Sequence, residues 1–344
     1  MKKYMSSLYV LLGMVALTFY VIFRNYQLGD VFQIAKSADI RLILLGVVMV
    51  FVHLVLGGRV LQLLLRSMRK KSSLMACSKY AGIEFYFSAI TPSATGGQPA
   101  QAFYMAKDGI PAGSSTVALL LITVVYKLVL LFLGIVVVLF RLPLVFGGNT
   151  IWIFLLFILG FVINVAVIAF CLTCMFSRNL VYQIAVKGVR LLVKLHLMKE
   201  PERKIAALDH YVAGLRESAG YVKQNFGLSV RIFFLTLVQR VALFSVSYLI
   251  YRSFGLSSTG YFDFLAIQVI IAIAVDSLPL PGGVGISEAI FLILYKGIYS
   301  ASMLVSAMIL SRGISYYFYL VLTAGISIIN HLVLMHEQKK MAGY

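Results

Sequence analysis

Acidic residues are scarce in this sequence. Twelve aspartates and glutamates stand against 30 lysines and arginines, a formal net charge of +18. Charged residues of both signs make up 12% of the chain, about half the share of an ordinary soluble domain. So little charge cannot keep a 344-residue globule in water. Cysteine is confined to Cys77, Cys171 and Cys174, which excludes a disulfide scaffold. Cys171 and Cys174 have the spacing of a metal or redox pair, but they sit in an apolar run without further ligands and read as packing residues. The five histidines are scattered. There is no His-Glu-x-x-His, no phosphate-binding Gly-x-x-x-x-Gly-Lys-Ser/Thr and no Gly-x-Ser-x-Gly. ATPase, metalloprotease and α/β-hydrolase chemistry are therefore excluded, and no catalytic residue, cofactor or metal is expected. Aromatic-basic nucleic-acid motifs are also missing, so the excess of cations needs another reading.

What the chain has in abundance is apolar sequence. Hydrophobic residues make up 61% and mean hydropathy is +0.96. Many apolar runs approach the length of a membrane span. Period-2 alternation with turns is absent, which argues against a β-barrel. The expected fold is an all-α polytopic integral membrane protein forming one domain over residues 1–344. Spans are expected at about 8–23, 42–65, 115–140, 151–176, 230–251 and 302–334, the last either one long span or a broken pair. The first apolar run has no convincing small-residue cleavage site after it and reads as a retained span. Lys2 and Lys3, the cluster Arg66, Arg69, Lys70 and Lys71, and the basic region 178–229 belong on the cytoplasmic side, as does the Lys339–Lys340 tail. Both termini are thus expected in the cytoplasm. Within the basic region, the 3-4 spacing of Ile205, Leu208, Val212, Leu215, Ala219 and Val222 predicts an amphipathic helix.

Two stretches break this pattern. One runs Thr91-Pro92-Ser93-Ala94-Thr95-Gly96-Gly97-Gln98-Pro99. The other runs Leu278-Pro279-Leu280-Pro281-Gly282-Gly283-Val284-Gly285. Pro removes a backbone donor and Gly loosens the chain. Inside lipid such backbone is tolerated only against protein or a water-filled cavity. The flanking segments read as two re-entrant broken-helix hairpins, at about 74–108 from the cytoplasmic side and 262–297 from the opposite side. Aligning Gly96-Gly97 on Gly282-Gly283 gives a weak internal repeat, with the inverted topology expected of a transporter.

Charges within the apolar regions are the sharpest chemical signal. Lys127, Arg240 and Arg312 lie inside separate spans, and Glu84, Asp276 and Glu288 lie at or beside the breaks. One charge at the centre of a membrane costs about 2.5 to 3.5 kcal/mol on insertion scales. Two readings stay open: mutual ion pairing, or a cavity that holds a charged or zwitterionic lipid head group. In the second, Glu84, Asp276 and Glu288 meet amino groups, and Lys127, Arg240 and Arg312 meet phosphate. Asp276 ends its helix, where the dipole disfavours an anion, and a nearby cation is expected: Arg240, Arg312 or an ammonium on the ligand. Glu288 starts one and can be a simple cap. Ser93, Thr95, Gln98 and Gln101 line the first break; they can donate to phosphate or satisfy freed backbone. Gly96, Gly97, Pro279, Pro281, Gly282 and Gly283 complete the breaks. Arg59, near the end of its span, reads as snorkelling.

The paired stretches Thr91 to Phe103 and Leu278 to Glu288 resemble the two signature regions of the lysylphosphatidylglycerol synthase transmembrane family. That family includes the flippase half of the bacterial multiple peptide resistance factor, and the resemblance covers essentially the whole chain. It implies a multi-pass protein of the bacterial plasma membrane. It also implies flipping of lysyl-phosphatidylglycerol or a related anionic or zwitterionic lipid, which contributes to resistance to cationic antimicrobial peptides. The family's full-length factor carries a cytosolic aminoacyltransferase domain. This chain ends at Tyr344, a few residues past its last span, so that activity is not expected on it. The alternative is a membrane component of a phosphatidylglycerol lysyltransferase or another lipid-modifying transferase. Expected partners are membrane phospholipid, a separate lipid synthase or a second copy of the chain, and not nucleic acid.

Overall fold

The computed structural model describes residues 20, 33–34, 36–141, 151–176, 213–214, 217–221, 224–276 and 278–342. The expected span at 8–23, the loop after Arg141 and nearly all of the region 178–229, with its amphipathic helix, lie outside the described residues.

Among the described residues the secondary structure is helical throughout. In chain order the helices are α1 (Ile40–Ser67), α2 (Leu74–Ile90), α3 (Gly97–Lys107), α4 (Ala112–Phe140) and α5 (Ile151–Phe176). There follow α6 (Phe226–Ser253), α7 (Tyr261–Val275), α8 (Ile286–Leu294), α9 (Ala301–Arg312) and α10 (Tyr319–Ala342). Helix starts follow local chemistry. Asp39, Ser73 and Asn225 each accept a backbone N–H from the first turn of α1, α2 and α6. Gly109, at φ +80°, ends α3 just before Pro111 introduces α4. Among the described residues five helical runs are long and apolar enough to cross a membrane: α1, α4, α5, α6 and the continuous run 301–336. The last is not a broken pair. It passes through one six-residue π-helical segment, Gly313–Phe318, between α9 and α10.

Helices α1 and α6 form an antiparallel spine. The Asp39 N–H donates to the Ser253 carbonyl at 2.8 Å, Gly46 lies against Val246, and His53 Nδ1 donates to the Gln239 carbonyl at 3.0 Å. Helix α7 is wedged against α4 and α5, where Gly134 and Gly160 leave room for Ile273.

Helices α2 and α3 fold back on each other. Gly97 faces Ser88 and Glu84 near the break, and the Tyr80 hydroxyl donates to Asp108 at the far end. Helices α7 and α8 do the same. Gly283 rests on Val275 near the break, and Gln268 Nε2 donates to the Tyr295 hydroxyl at 3.1 Å farther down. The open end of the first pair packs beside the end of α1, with Gly58 tight against Ser78. The open end of the second packs beside the opposite end of the spine, where Ser245 and Tyr261 share a hydrogen bond of 2.8 Å. The two pairs therefore meet tip to tip. Their turns are in contact, and Ala89, Ile90, Val284 and Tyr316 form a small buried cluster there.

The turns correspond in a register different from the one expected. Each is a single 3-10 turn opening on proline, Pro92–Ala94 and Pro281–Gly283. The next two residues of each are left-handed: Ser93 at φ 51° and Ala94 at 55°, Gly282 at 58° and Gly283 at 64°. Pro92 thus matches Pro281, and the Gly96-Gly97 alignment on Gly282-Gly283 is corrected by three positions. Gly96 is right-handed, at φ −85°, and starts α3. What Gly96 and Gly97 supply is close approach, because a Cβ there would strike Thr91, Ser88 or the backbone of α2.

Gly282 is both left-handed and pressed against the Tyr316 ring. Gly282→Ala is expected to lower stability by about 2 kcal/mol through crowding. Gly313→Ala meets open space and is expected to be neutral or to stabilise by about 0.5 kcal/mol. Thermal unfolding in detergent measures both.

Candidate functional site

The meeting of the tips leaves two cavities, each of about 260 Å³. They share one wall: Phe85 and Ser88 of α2, Ala94 of the first turn, Tyr126 of α4, Arg240 of α6 and Asp276 at the end of α7. The first cavity extends from this wall along the α7–α8 pair to Gln268, Ser287, Arg312 and Tyr316. The second extends along the α2–α3 pair to His53, Glu84, Gln98, Gln101 and Thr123.

The six charges do not act as two sets of three. Lys127 forms an ion pair with Asp276, and the Tyr126 hydroxyl donates to the other Asp276 oxygen at 2.7 Å. Lys127 is buried and lines neither cavity. The cation beside Asp276 is Lys127 of α4, which corrects the expectation of Arg240, Arg312 or a ligand ammonium there. Arg312 Nε donates to Glu288 at 2.8 Å. Glu288 also accepts the Gly285 N–H at 2.7 Å, so it caps α8 as its position in the first turn anticipates. It is almost fully buried, and Arg312 rather than Glu288 reaches the first cavity.

Two charges remain. Arg240 has no carboxylate within ion-pair distance among the described residues. Its guanidinium carbon lies 4.0 Å from the Tyr126 ring centre, and its buried Nε finds no hydrogen-bond partner there. Glu84 accepts a hydrogen bond from Ser88 Oγ at 2.8 Å and pairs with no cation among the described residues. Both line the second cavity.

The polar residues of the breaks divide by role. Thr95 Oγ1 donates to the Pro92 carbonyl at 2.9 Å, and the Gly96 N–H donates to Thr91 Oγ1 at 2.9 Å; these bonds mend the turn. Ser93, Gly282 and Gly283 line the first cavity, while Gln98 and Gln101 line the second. Gln98 Nε2 donates to Thr123. Pro279 and Pro281 line neither, and shape the backbone alone. Arg59 donates to Gln62 one turn on and stays away from both cavities. Sequence reasoning did not single out Ser88 or Tyr126. A tyrosine beside a lysine in mid-span was the available signal, since a buried phenol needs a partner for its hydroxyl.

The arrangement defines a polytopic α-helical membrane protein with buried charge around a central pair of cavities. Residues 7–323 match the lysylphosphatidylglycerol synthase TM region, and the chain belongs to that family. Among curated proteins none matches it.

Breaking a buried ion pair strands the remaining charge. Lys127→Met is expected to cost about 3 kcal/mol of stability, whereas Lys127→Met with Asp276→Leu recovers most of that loss. Denaturation midpoints of the two variants and the wild type check this.

Proposed function

We propose that this protein is a lipid flippase, moving aminoacylated phosphatidylglycerol or a related phospholipid between the leaflets of a bacterial plasma membrane. The observation that carries the proposal is the tip-to-tip meeting of two broken-helix pairs around cavities with a charged common wall. In this reading the pairs are re-entrant hairpins entered from opposite faces, with both chain termini cytoplasmic. Irregular backbone at membrane depth then faces protein or cavity rather than lipid. Charges at that depth mark a polar path. The head group crosses through the cavities while the acyl chains stay in the bilayer. The sequence carries no nucleotide-binding motif, so movement is downhill or coupled to an ion or the membrane potential. Outer-leaflet exposure of an aminoacylated lipid lowers negative surface charge and repels cationic peptides.

Reconstitution tests this directly. Vesicles carry acyl-labelled aminoacyl-phosphatidylglycerols and zwitterionic phospholipids, and a quencher reads their arrival in the outer leaflet. The wild type is expected to move at least one of them faster than empty vesicles do. Equal rates for every lipid sink the proposal. Aminoacyl transfer from charged tRNA by the purified chain would instead place it in a lysyltransferase system.

A further inference from the structure

We infer that the second cavity takes a phosphodiester head group carrying a single ammonium, a zwitterion of zero net charge. The inference rests on the flippase reading and narrows its substrate class.

It follows from which charges are already spent. Lys127 neutralises Asp276, and Arg312 neutralises Glu288. Neither pair has charge to offer without being broken, and breaking a buried pair leaves an uncompensated ion. The second cavity retains one acid and one base, Glu84 and Arg240, not paired with each other or with any other described residue. The other polar groups along it are neutral or spent. His53 Nδ1 is given to the Gln239 carbonyl, and Gln98 to Thr123.

The two uncommitted groups differ in what they recognise. Arg240 lines the cavity with its guanidinium carbon 4.0 Å from the Tyr126 ring centre and with a buried Nε that has no hydrogen-bond partner among the described residues. A planar fork of this kind suits phosphate oxygens. Glu84 presents carboxylate oxygens, which suit an ammonium. A ligand with one phosphate and one ammonium leaves every charge in the cavity compensated. A head group with a second ammonium leaves one cation without an anion, and one lacking ammonium leaves Glu84 unanswered. At membrane depth an uncompensated charge of either sign is costly.

The experiment compares labelled lipids that differ in head-group charge: phosphatidylglycerol, phosphatidylethanolamine, alanyl-phosphatidylglycerol and lysyl-phosphatidylglycerol. It is run at pH 6.5, well below the α-amino range of about 7.7–8.0, so that the aminoacyl lipids carry their full ammonium charge. In wild-type vesicles the two zwitterions are expected to cross about tenfold faster than the anionic and the doubly aminated lipid. Glu84→Gln should shift the preference toward phosphatidylglycerol, because Arg240 is then the only uncommitted charge. Lysyl-phosphatidylglycerol crossing as fast as the zwitterions would overturn the inference, as would an unchanged preference in a well-folded Glu84→Gln protein.

A binding arm separates this inference from the transport reading. Short-chain versions of the four lipids and glycerophosphoethanolamine are tested for thermal stabilisation of the detergent-solubilised protein. If no lipid crosses but short-chain phosphatidylethanolamine stabilises wild type and not Glu84→Gln, the zwitterion site stands and transport falls. Equal stabilisation by all four lipids overturns the site. Stabilisation by glycerophosphoethanolamine matching that of the lipid upholds the zwitterion and overturns a lipid-specific cavity.

Discussion

The ion pair between Lys127 and Asp276 is the contact on which the centre of this protein depends. Asp276 ends α7, where the helix dipole opposes a negative charge, and the second break begins immediately after it. Lys127 lies within an apolar helix that would otherwise expel it. Each residue is untenable alone, and their pairing fixes α4 to the tip of α7. The same carboxylate then orders Tyr126, whose ring centre lies 4.0 Å from the Arg240 guanidinium carbon. The common wall of both cavities is thus built outward from one pair. Glu288 and Arg312 repeat the device at the start of α8, with a helix cap added.

Much of this was legible in the sequence because cost leaves a trace. Apolar runs of span length, Pro and Gly concentrated in two places, and charges in mid-span each violate an ordinary preference, and each marks a structural feature. The five described long spans sit close to where hydropathy puts them. What was not legible is partner choice. Arg240 and Arg312 were the protein cations expected to answer Asp276, and the structure supplies Lys127 of α4 instead. Tyr126 escaped notice because a tyrosine in an apolar helix costs little to write and gains its meaning from neighbours distant in sequence. The register of the two breaks was misread for a related reason. Gly-Gly looks alike in both stretches, but Gly96-Gly97 is used for its missing side chain and Gly282-Gly283 for its left-handed backbone. Composition does not separate those two uses; the prolines that open each turn do.

The breaks also show how freed backbone is satisfied within the turns themselves. Threonines and serines do the mending. Thr91 donates to the Phe87 carbonyl and accepts from Gly96, Thr95 returns to Pro92, and Ser287 returns to Gly283. With those bonds made, the turns hold their shape without drawing on Gln101, Arg240 or Glu84. Of the three, Arg240 keeps a buried Nε without a hydrogen-bond partner among the described residues, a costly condition, while Glu84 accepts from Ser88.

The common wall has a further mechanical consequence. Ser88 and Ala94 belong to the first broken pair and Asp276 to the second, while Tyr126 and Arg240 stand on long helices. A shift of either pair along its own axis therefore changes the wall for both cavities at once. Because the tips touch, neither pair can advance without the other yielding. Two charges of that wall, Arg240 and Asp276, belong to both cavities. At the tips Tyr316, itself part of the π-helical turn, packs on Gly282 and ties that turn to the second break.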